Sequence, residues 1–361
     1  MICRKIRLVN FRNVEEQELE FDGGVNVIYG NNAQGKTSVL EGIYLTAQGR
    51  SHRTSRERDF IRFGCEYAEI VNTYANRTRN DASQMIRYED NGRRVCCVNG
   101  VSTAKMSEFI GNFRAILFTP EHLSIVKEGP LNRRLFLDTA LSQTDPVYLS
   151  DLQLYNKNLT NRNKLLQTAE DDRETFDETV EVWSWMLADR GEKISMAREK
   201  YLNRLSQVTT EIFADMTGGR EKVTFRYRDP RTRDELVKLL KQNIEKEIKN
   251  RTTMYGPHKD DIDIDINGRP AREFGSQGQQ RSIALAMKLA EGELSKEAGG
   301  EYPVFLLDDI MSELDRSRRE YVMNGISGRQ VIITSCDSGV VRGKARLFLC
   351  ENGRFSCTAG D

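Results

Sequence analysis

The chain has 361 residues, a length that predicts about two domains with sizeable buried cores. Lys plus Arg and Asp plus Glu each number 54, so the overall charge gives no sign of a nucleic-acid partner, and any electrostatic site has to be local. The seven cysteines include no CxxC pair and only three histidines are present, which disfavours a zinc site or a disulfide framework and favours a reducing, cytoplasmic location. No run approaches the roughly 18 apolar residues of a membrane span, so no membrane partner is expected.

Residues 1–120 are predicted to form mostly strands around one early helix. The strand-like segments are KIRLVNF, QELEF, VNVIY, AEIVNTYA, QMIRY, RRVCCV and FRAILF. The pairs Asn91-Gly92 and Asn99-Gly100 are typical hairpin turns, so part of this region is expected to be antiparallel.

A phosphate-binding loop is predicted between the strand VNVIY and the helical pattern TSVLEGIYLTAQ. The spacing is Gly30-x4-Gly35-Lys36-Thr37, in which glycines bring backbone N–H groups onto a phosphate at the positive end of a helix. Lys36 would reach the β- and γ-phosphates, and the Thr37 hydroxyl would bind Mg²⁺. A chance match to a turn rich in Gly and Asn is disfavoured because strand, motif and helix agree. The predicted nucleotide contacts are Gly30, Asn31, Asn32, Ala33, Gln34, Gly35, Lys36, Thr37 and Ser38.

An arginine cluster follows in GRSHRTSRERDFIR. Arg50, Arg53 and Arg56 are candidate contacts to the phosphate backbone of DNA, because this segment contains only two acids. No aromatic residue interleaves GRSHRTSRER, which favours duplex over single-stranded DNA. The alternative is a solvated loop with internal ion pairs. The same patch could be extended, or a second one formed, by Arg77, Arg79, Arg87, Arg133 and Arg134.

Residues 121–250 change character and become charged, poor in proline and helical in period. We predict a helical hairpin or bundle with solvated outer faces, interrupted by the strand-like segment KVTFRYR at 222–228.

Residues 251–361 return to strand signals. The segment DIDIDINGRP predicts an alternating strand with an Asn267-Gly268 turn, followed by the helix QQRSIALAMKLAEGEL. Ser276 and Gln279 have the spacing of an N-terminal capping box for that helix. The same serine, with Gly278 beside it and free N–H groups at the helix start, would also suit an anion. Both interpretations stay open on the residues alone.

An apolar strand, VFLL, ends in two carboxylates. Asp308 is predicted to supply a Mg²⁺ contact beside the phosphate-binding loop, and Asp309 to orient or deprotonate the attacking water. Two acids after a strand are common in isolation, but their pairing with a phosphate-binding loop favours the catalytic interpretation.

In this order, the motifs resemble those of the ABC-type ATPases, with a signature-like SQGQ at 276–279, a Walker B strand at 304–309 and a D-loop-like SELD at 312–315. More narrowly, the chain is similar to the RecF family of bacterial DNA replication and repair proteins, within the SMC-like group. This resemblance covers essentially the whole length. It rests on LVNFRN, GNNAQGKTSVLEGI, GRSHRT, LFTPEHLSIVKEGPLNRRLFLD, YGPHKDDI, FGSQGQQR and LLDDIMSELD.

The resemblance implies an α/β fold. A P-loop ABC-type ATPase head, with a mixed sheet and an antiparallel lobe, would form from residues 1–120 and 251–361. A mainly helical arm, residues 121–250, would be inserted between them.

The resemblance also implies how the ATPase works. Two heads would enclose two ATP molecules with Mg²⁺, each held by the P-loop of one subunit and the signature of the other. Lys36 and Asp309 would be catalytic, and Arg12 would stand near the nucleotide. Acting in trans would be Ser276, Gly278 and Gln279, with Asp315 at the dimer seam. Such a protein would be a weak ATPase that dimerises on double-stranded DNA near gaps and helps to load RecA with RecO and RecR.

Three departures from the ABC pattern bear on the mechanism. Asp309 stands where most ABC ATPases have glutamate, which shortens the reach by one methylene and predicts slow hydrolysis. No histidine follows the strand QVIITS, where Thr334 or Ser335 stands. Thr119 to Glu121 occupy the region of the Q-loop, so its equivalent is open.

An ATP switch that binds ATP without hydrolysing it is not distinguished from a slow ATPase by the residues. Two other functions also remain as alternatives. One is the nucleotide-binding subunit of an ABC transporter, disfavoured by the charged arm and the arginine cluster. The other is an SMC-like chromosome-organising ATPase, disfavoured because an arm of about 130 residues is short at ~1.5 Å per helical residue.

Overall fold

The computed structural model describes residues 1–341 and 344–358. The strands are β1 (Ile2–Phe11), β2 (Val14–Glu20), β3 (Val25–Tyr29), β4 (Tyr67–Ala75), β5 (Ala82–Glu89), β6 (Arg94–Val98), β7 (Val101–Ser102), β8 (Ala115–Phe118), β9 (Val223–Tyr227), β10 (Ile262–Ile266), β11 (Arg269–Pro270), β12 (Val304–Asp308), β13 (Val331–Ser335), β14 (Arg346–Glu351) and β15 (Arg354–Thr358). They form three sheets.

The helices lie between groups of these strands along the chain. They are α1 (Lys36–Gln48), α2 (Met106–Phe109), α3 (Pro130–Thr144), α4 (Pro146–Thr168), α5 (Arg173–Thr217), α6 (Arg233–Gln242), α7 (Ile244–Asn250), α8 (Ala271–Phe274), α9 (Gln277–Gly299) and α10 (Arg316–Gly325). Short 3-10 turns lie at Glu57–Phe60, Pro120–Ser124, Pro257–Lys259, Ile310–Glu313 and Ser338–Val340.

The central sheet has the strand order β15-β14-β3-β13-β12-β8, and all neighbours except β15 and β14 are parallel. Strand β13 lies between β3 and β12, with Thr334 opposite Asp308 on one side and Ser335 opposite Tyr29 on the other. Parallel strands end at the same edge of a sheet, where ligands bind in open α/β folds. The loop after β3 and the carboxylates after β12 therefore meet at one edge.

A second, antiparallel sheet has the order β2-β1-β4-β5-β6-β7, which confirms the expectation for residues 1–120. Asn99 and Gly100 both have positive φ, 51° and 78°, so they form the tight turn that joins β6 and β7.

Helix α1 lies between these two sheets. Every residue of the helix except Thr37 is buried, because one side packs on β1, β4 and β5 and the other on β8, β12 and β13. A Cβ at Gly42 would approach Leu8 to 2.7 Å, so this glycine lets the helix lie close to β1. The core on this side joins both sheets through α1.

On the opposite side of the central sheet, α9 and the C-terminal half of α5 pack against each other and share one apolar core with residues of β8, β12 and β13. Strand β9 lies within the segment expected to be helical, yet it pairs antiparallel with β10 in a three-stranded sheet with β11. The KVTFRYR strand is thus confirmed, and it ties the base of α5 to the rest of the molecule.

Helices α4, α6 and α7 and the first half of α5 have apolar clusters of their own. Within them Arg162 and Glu247, both fully buried, are joined at 2.6 Å, and the guanidinium also donates to Ser184 and Thr253. These contacts satisfy a buried charge pair that would otherwise be costly. The three-part division at residues 120 and 250 remains a prediction.

A membrane span is also absent from the part of the chain that the structure describes: no helix there has the length and apolar character to cross a bilayer.

Candidate nucleotide-binding site

The loop after β3 has the backbone that the glycine spacing predicts. Gly30 and Gly35 have φ of 148° and 112°, and Ala33 also lies in the left-handed region at 62°. A Cβ at Gly30 would approach the carbonyl oxygen of Cys350 to 2.4 Å, and one at Gly35 would lie 2.7 Å from the Asn13 side chain. Both positions therefore require glycine on conformational and steric grounds.

Lys36 is almost fully buried inside this loop. Its Nζ donates to the carbonyl oxygens of Gly30 at 2.7 Å and Asn31 at 2.9 Å. The ammonium group is thus held within the concave side of the loop, at the N-terminus of α1. A positive charge at that place attracts phosphate.

Asp308, the last residue of β12, is hydrogen-bonded to a residue of β13 and to a residue of α1, the helix that follows β3. Its Oδ1 accepts hydrogen bonds from the hydroxyls of Thr37 at 2.9 Å and Thr334 at 2.7 Å. Burial raises the pKa of Asp308, and the nearby Asp309 acts in the same direction, while the two hydroxyls act against them. A hydroxyl and a carboxylate that converge in this way are ligands Mg²⁺ prefers. Thr334, which the sequence analysis noted only for the missing histidine, orients this group.

Asp309 lies at the mouth of the site, half-buried. Its backbone is left-handed, with φ of 49°, and its N–H donates to the Thr334 hydroxyl at 3.0 Å. An aspartate in this region costs conformational energy, and such strain is concentrated at functional sites. Strand β13 therefore positions both carboxylates.

Together these elements enclose a cavity of about 560 Å³. Among the predicted contacts, Gly30, Asn31 and the buried Asp308 lie outside its lining. The lining residues are Arg12, Asn13, Asn32, Ala33, Gln34, Gly35, Lys36, Thr37, Ser38, Arg53, Asp59, Ile61 and Asp309. A larger cleft of about 720 Å³ lies on the arm, so volume alone does not identify the site.

Arg12 lies in this cavity, and its partner is a residue that the sequence analysis missed. Its Nε and Nη2 donate to Glu41 at 3.0 and 2.6 Å, and its guanidinium lies 5.2 Å from the Phe60 ring centre. Although burial acts to raise it, the pKa of Glu41 is lowered because Arg12 and Ser51 donate to the carboxylate. The sequence signal that could have identified Glu41 is the presence of an acidic residue within the mostly apolar sequence of α1.

The loop is also supported by residues outside the phosphate-binding motif. Asn13 donates to the Gln34 carbonyl at 3.0 Å and accepts from the Ser38 hydroxyl at 3.2 Å. The turn between β14 and β15 contributes the N–H of Gly353, which reaches the same carbonyl at 2.8 Å. Residues from both ends of the chain therefore fix the conformation of the phosphate-binding loop.

The signature-like residues lie in a separate cavity of about 490 Å³. Ser276, Gly278, Gln279 and Asp315 all line it, and it shares no lining residue with the first cavity. Ser276 and Gln279 form the predicted capping box: the serine hydroxyl accepts from the Gln279 N–H at 3.2 Å, and the Gln279 side chain accepts from the Ser276 N–H. One chain therefore carries both sets of residues, but it does not bring them together.

The chain is similar to known proteins in sequence and in fold. The family described as "RecF/RecN/SMC N terminal domain" matches residues 2–353. The "DNA replication and repair protein RecF" of Clostridium botulinum (strain Okra / Type B1) is 38% identical over 365 residues, covering 98% of this chain and 99% of the relative.

The chain belongs to the RecF family. Two solved structures, described as the recombination mediator protein RecF-ATPrS and RecF-ATP in the RecFOR pathway, superpose with TM-scores of 0.93 and 0.92. Both are 35% identical, and the matches cover 99% of this chain and 98% and 97% of theirs. The expected α/β ATPase head of RecF type is thereby confirmed as the fold.

The three arginines of the candidate DNA-binding cluster in this RecF-family chain are all exposed, and two of them contact other groups of the chain. Arg50 donates to the Thr139 hydroxyl at 2.6 Å, Arg53 lines the loop cavity 3.4 Å from Glu41, and Arg56 is exposed. Among the more distant candidates, the expectation of an exposed patch is wrong for Arg133, which is buried and paired with Asp261 at 2.6 Å.

Proposed function

We propose that this RecF-family chain is an ATP-dependent DNA-binding protein of recombinational repair. In this proposal ATP and Mg²⁺ join two copies into a homodimer on double-stranded DNA near gaps, and slow hydrolysis releases it. The observation that carries the proposal is that one chain has two separate cavities, one lined by the phosphate-binding loop and the other by the signature-like residues, which we assign as the two halves of an ATP site. A nucleotide can complete both halves only between two copies.

The loop cavity would bind the triphosphate. Residues 32–37 line this cavity, with Lys36 Nζ held by the loop carbonyls, and Arg12 and Arg53 in the same lining add positive charge. Thr37 and Asp308 would hold Mg²⁺, which neutralises phosphate charge when bound. The convergence of these two oxygens at 2.9 Å supports that assignment.

Hydrolysis converts ATP and water into ADP and phosphate. The oxygen of a water molecule forms a bond with the γ-phosphorus, and the bond to the β–γ bridging oxygen breaks with its electron pair remaining on ADP. Asp309, at the cavity mouth, would orient this water and accept its proton. The short side chain at this position supports a weak ATPase.

The γ-phosphate would also hold the dimer together. Ser276 and Gly278 lie at the exposed start of a 23-residue helix, α9, where N–H groups and the helix dipole favour an anion. Asp315 caps α10 in the same cavity. A ligand that contacts both copies stabilises the dimer, and its hydrolysis removes that stabilisation.

DNA and partner proteins complete the proposal. Arg50 and Arg56, on the loop beside the nucleotide cavity, are the candidate phosphate contacts, together with Arg53. Cooperation with RecO and RecR in the cytoplasm, leading to RecA loading, rests on family membership and on the RecFOR pathway named for the solved RecF structures. The transporter alternative is disfavoured by the same family membership. The SMC-like alternative is disfavoured by an arm whose longest helix, α5, has 45 residues.

The mass in solution tests this function. We expect a monomer without nucleotide or with ADP, and a dimer with ATP and Mg²⁺ that is strengthened by a short DNA duplex. Ser276→Arg should remain monomeric while it still binds ATP, and Lys36→Ala should bind ATP poorly. Ser102→Arg, at the exposed edge strand β7, is the matched control and should dimerise normally. A wild-type monomer under every condition would refute the dimer.

A further inference from the structure

The turn that follows the long helix α5 places an arginine in the signature cavity, which is the cavity lined by Ser276, Gly278, Gln279 and Asp315. Gly218 and Gly219 are consecutive left-handed residues, with φ of 63° and 73°, and they end the helix abruptly. The next residue, Arg220, lines the cavity together with Ser276 and Gly278. A reversal through two consecutive left-handed positions strongly favours glycine at both.

Arg220 and Arg318 both line this cavity, but they are bonded differently. Arg318 donates to the Ser282 hydroxyl at 2.8 Å and the Gly278 carbonyl at 2.9 Å, and it is paired with Asp315. Its guanidinium is therefore engaged within its own chain. Arg220 is exposed, and its Nε donates to the Thr217 carbonyl at 2.9 Å.

Among the described residues, the terminal nitrogens of Arg318 are hydrogen-bonded, whereas those of Arg220 are not. Within residues 1–341 and 344–358, Arg220 forms no ion pair. Its two terminal nitrogens make no hydrogen bond among these residues and remain available as donors on a side chain that lines the cavity. A guanidinium presents such nitrogens in the fork that matches phosphate oxygens.

We propose that Arg220 is a catalytic residue that acts in trans, contacting the γ-phosphate of the ATP bound to the P-loop of a second copy. The inference rests on the proposed ATP-dependent dimer and adds a charged group to it. The α9 start offers only dipoles and a serine hydroxyl to that phosphate, whereas Arg220 offers a full positive charge. Such a charge stabilises the negative charge on the γ-phosphate oxygens in the transition state.

Residues next to Arg220 fix its position relative to the signature-like residues 276–279. The carboxylate of Glu221 accepts a hydrogen bond from the side-chain amide of Gln279, and the Lys222 N–H donates to Asn267 at 2.9 Å. Tyr321 of α10 also donates to Asp215 at the end of α5, at 2.8 Å. The base of the arm and the signature therefore form one unit, so the arginine enters the composite site together with Ser276.

Arg220→Gln removes the charge while keeping hydrogen-bonding atoms on an exposed turn. Lys222→Gln is the matched control, because Lys222 is exposed, lies two positions away and does not line the cavity. We expect Arg220→Gln to bind ATP to its own P-loop with unchanged affinity and to hydrolyse it at least about tenfold more slowly, since arginines in this role contribute large factors to kcat. Lys222→Gln should hydrolyse ATP at the wild-type rate.

A mixing experiment tests whether the arginine acts in trans. Asp309→Asn is impaired at its own P-loop site, and Arg220→Gln would be impaired at the site of its partner. In a heterodimer of the two, one site carries both changes and the other carries neither. An equimolar mixture should therefore regain roughly a quarter of the wild-type rate, because half of randomly assorted dimers are heterodimers with one intact site.

The outcomes separate this inference from the function on which it rests. A wild-type protein that never dimerises with ATP would overturn both. A wild-type dimer with Arg220→Gln as active as Lys222→Gln would overturn the role of Arg220 alone. Loss of activity in Arg220→Gln without recovery in the mixture would also overturn the trans role, because it would indicate action within its own chain.

Discussion

The hydroxyl of Thr37 lies 2.9 Å from the carboxylate of Asp308, although the two residues are 271 positions apart in the chain. Thr37 is the second residue of α1, the helix that follows β3, and Asp308 ends β12, with β13 between β3 and β12. The same carboxylate oxygen accepts from Thr334 on β13. Three parallel strands thus deliver the oxygen atoms of one candidate Mg²⁺ site.

Replacement of Asp308 by asparagine should keep the stability of the nucleotide-free protein and remove its stabilisation by Mg²⁺ and ATP. Because the pKa of Asp308 is raised in the folded protein, its contribution to stability is favourable at low pH and is lost as the pH rises through that pKa. At pH 7.5 the nucleotide-free variant should melt at the wild-type temperature or roughly 1–3 °C above it. The stabilisation that Mg²⁺ and ATP give to the wild type should disappear. A variant that keeps this stabilisation would exclude Asp308 from the metal site.

Replacement of Asp309 by asparagine should leave binding intact and slow the chemical step. The Asp309 side chain lies at the cavity mouth, and the proposed phosphate and Mg²⁺ contacts in the same cavity are other residues, Lys36 and Thr37. We expect a decrease of about 10²-fold or more in kcat, the usual contribution of a positioned base, and a dimer that persists with ATP. Single-turnover kinetics and light scattering measure the two effects. Hydrolysis at the wild-type rate would exclude the proposed role.

Glu41 should prove necessary for both folding and nucleotide affinity. It is fully buried and binds Arg12, so Glu41→Gln leaves a partly buried guanidinium with a neutral partner. The expected loss is about 3 kcal/mol of unfolding free energy, typical of breaking a buried pair, together with weaker ATP binding. Urea titration and nucleotide titration report these effects. The control Glu16→Gln breaks an exposed pair with Arg7 and should cost less than about 1 kcal/mol.

Stability should fall as the pH decreases from 6.5 toward 4. Burial lowers the pKa of His52 and of His258 from 6.5 to about 4, and that of His122 well below 6.5. The unfolded chain binds these protons first, so each histidine favours unfolding by up to about 1.4 kcal/mol per pH unit in that range. Glu291 and Asp308, whose pKa values are raised, act in the opposite direction and reduce the slope.

Urea titrations followed by the fluorescence of the two tryptophans measure this slope, and His52→Phe should make it shallower. His52 suits this test because its ring packs edge-on against Tyr44 and its buried Nδ1 has no hydrogen-bond partner among the described residues. A slope that stays the same in His52→Phe would contradict the assignment for this histidine.

Charge removal in the arginine cluster should weaken DNA binding and its salt dependence. Each lost phosphate contact lowers the slope of log K against log salt by about 0.9 on duplex DNA. Arg50→Gln and Arg56→Gln should each show this decrease. Arg53→Gln, because Arg53 lines the nucleotide cavity, should affect ATP binding as well. Arg133→Gln is unsuitable as a test because that residue is buried in an ion pair. An unchanged slope in all variants would place the DNA site elsewhere.

Sequence reasoning succeeded where the signal is local. Glycine spacing specified the loop between Gly30 and Thr37, because positive φ and close backbone approach exclude other residues there. The capping box at Ser276 involves neighbours three positions apart and formed as predicted. The hairpin turn at Asn99-Gly100 did so for the same reason. The apolar strand that ends in Asp308 was likewise recognisable, because its pattern does not depend on the strands that pair with it.

Tertiary structure alone decided which distant residues share a site. Thr334 became a partner of Asp308 because β13 pairs with β12 in one register, and a shift by one residue would point its side chain to the other face. Glu41 meets Arg12 because α1 lies beneath the β1–β2 turn. The same long-range packing buried Arg133 and left Arg56 in solvent, since the neighbours of a charge depend on contacts that no local pattern encodes.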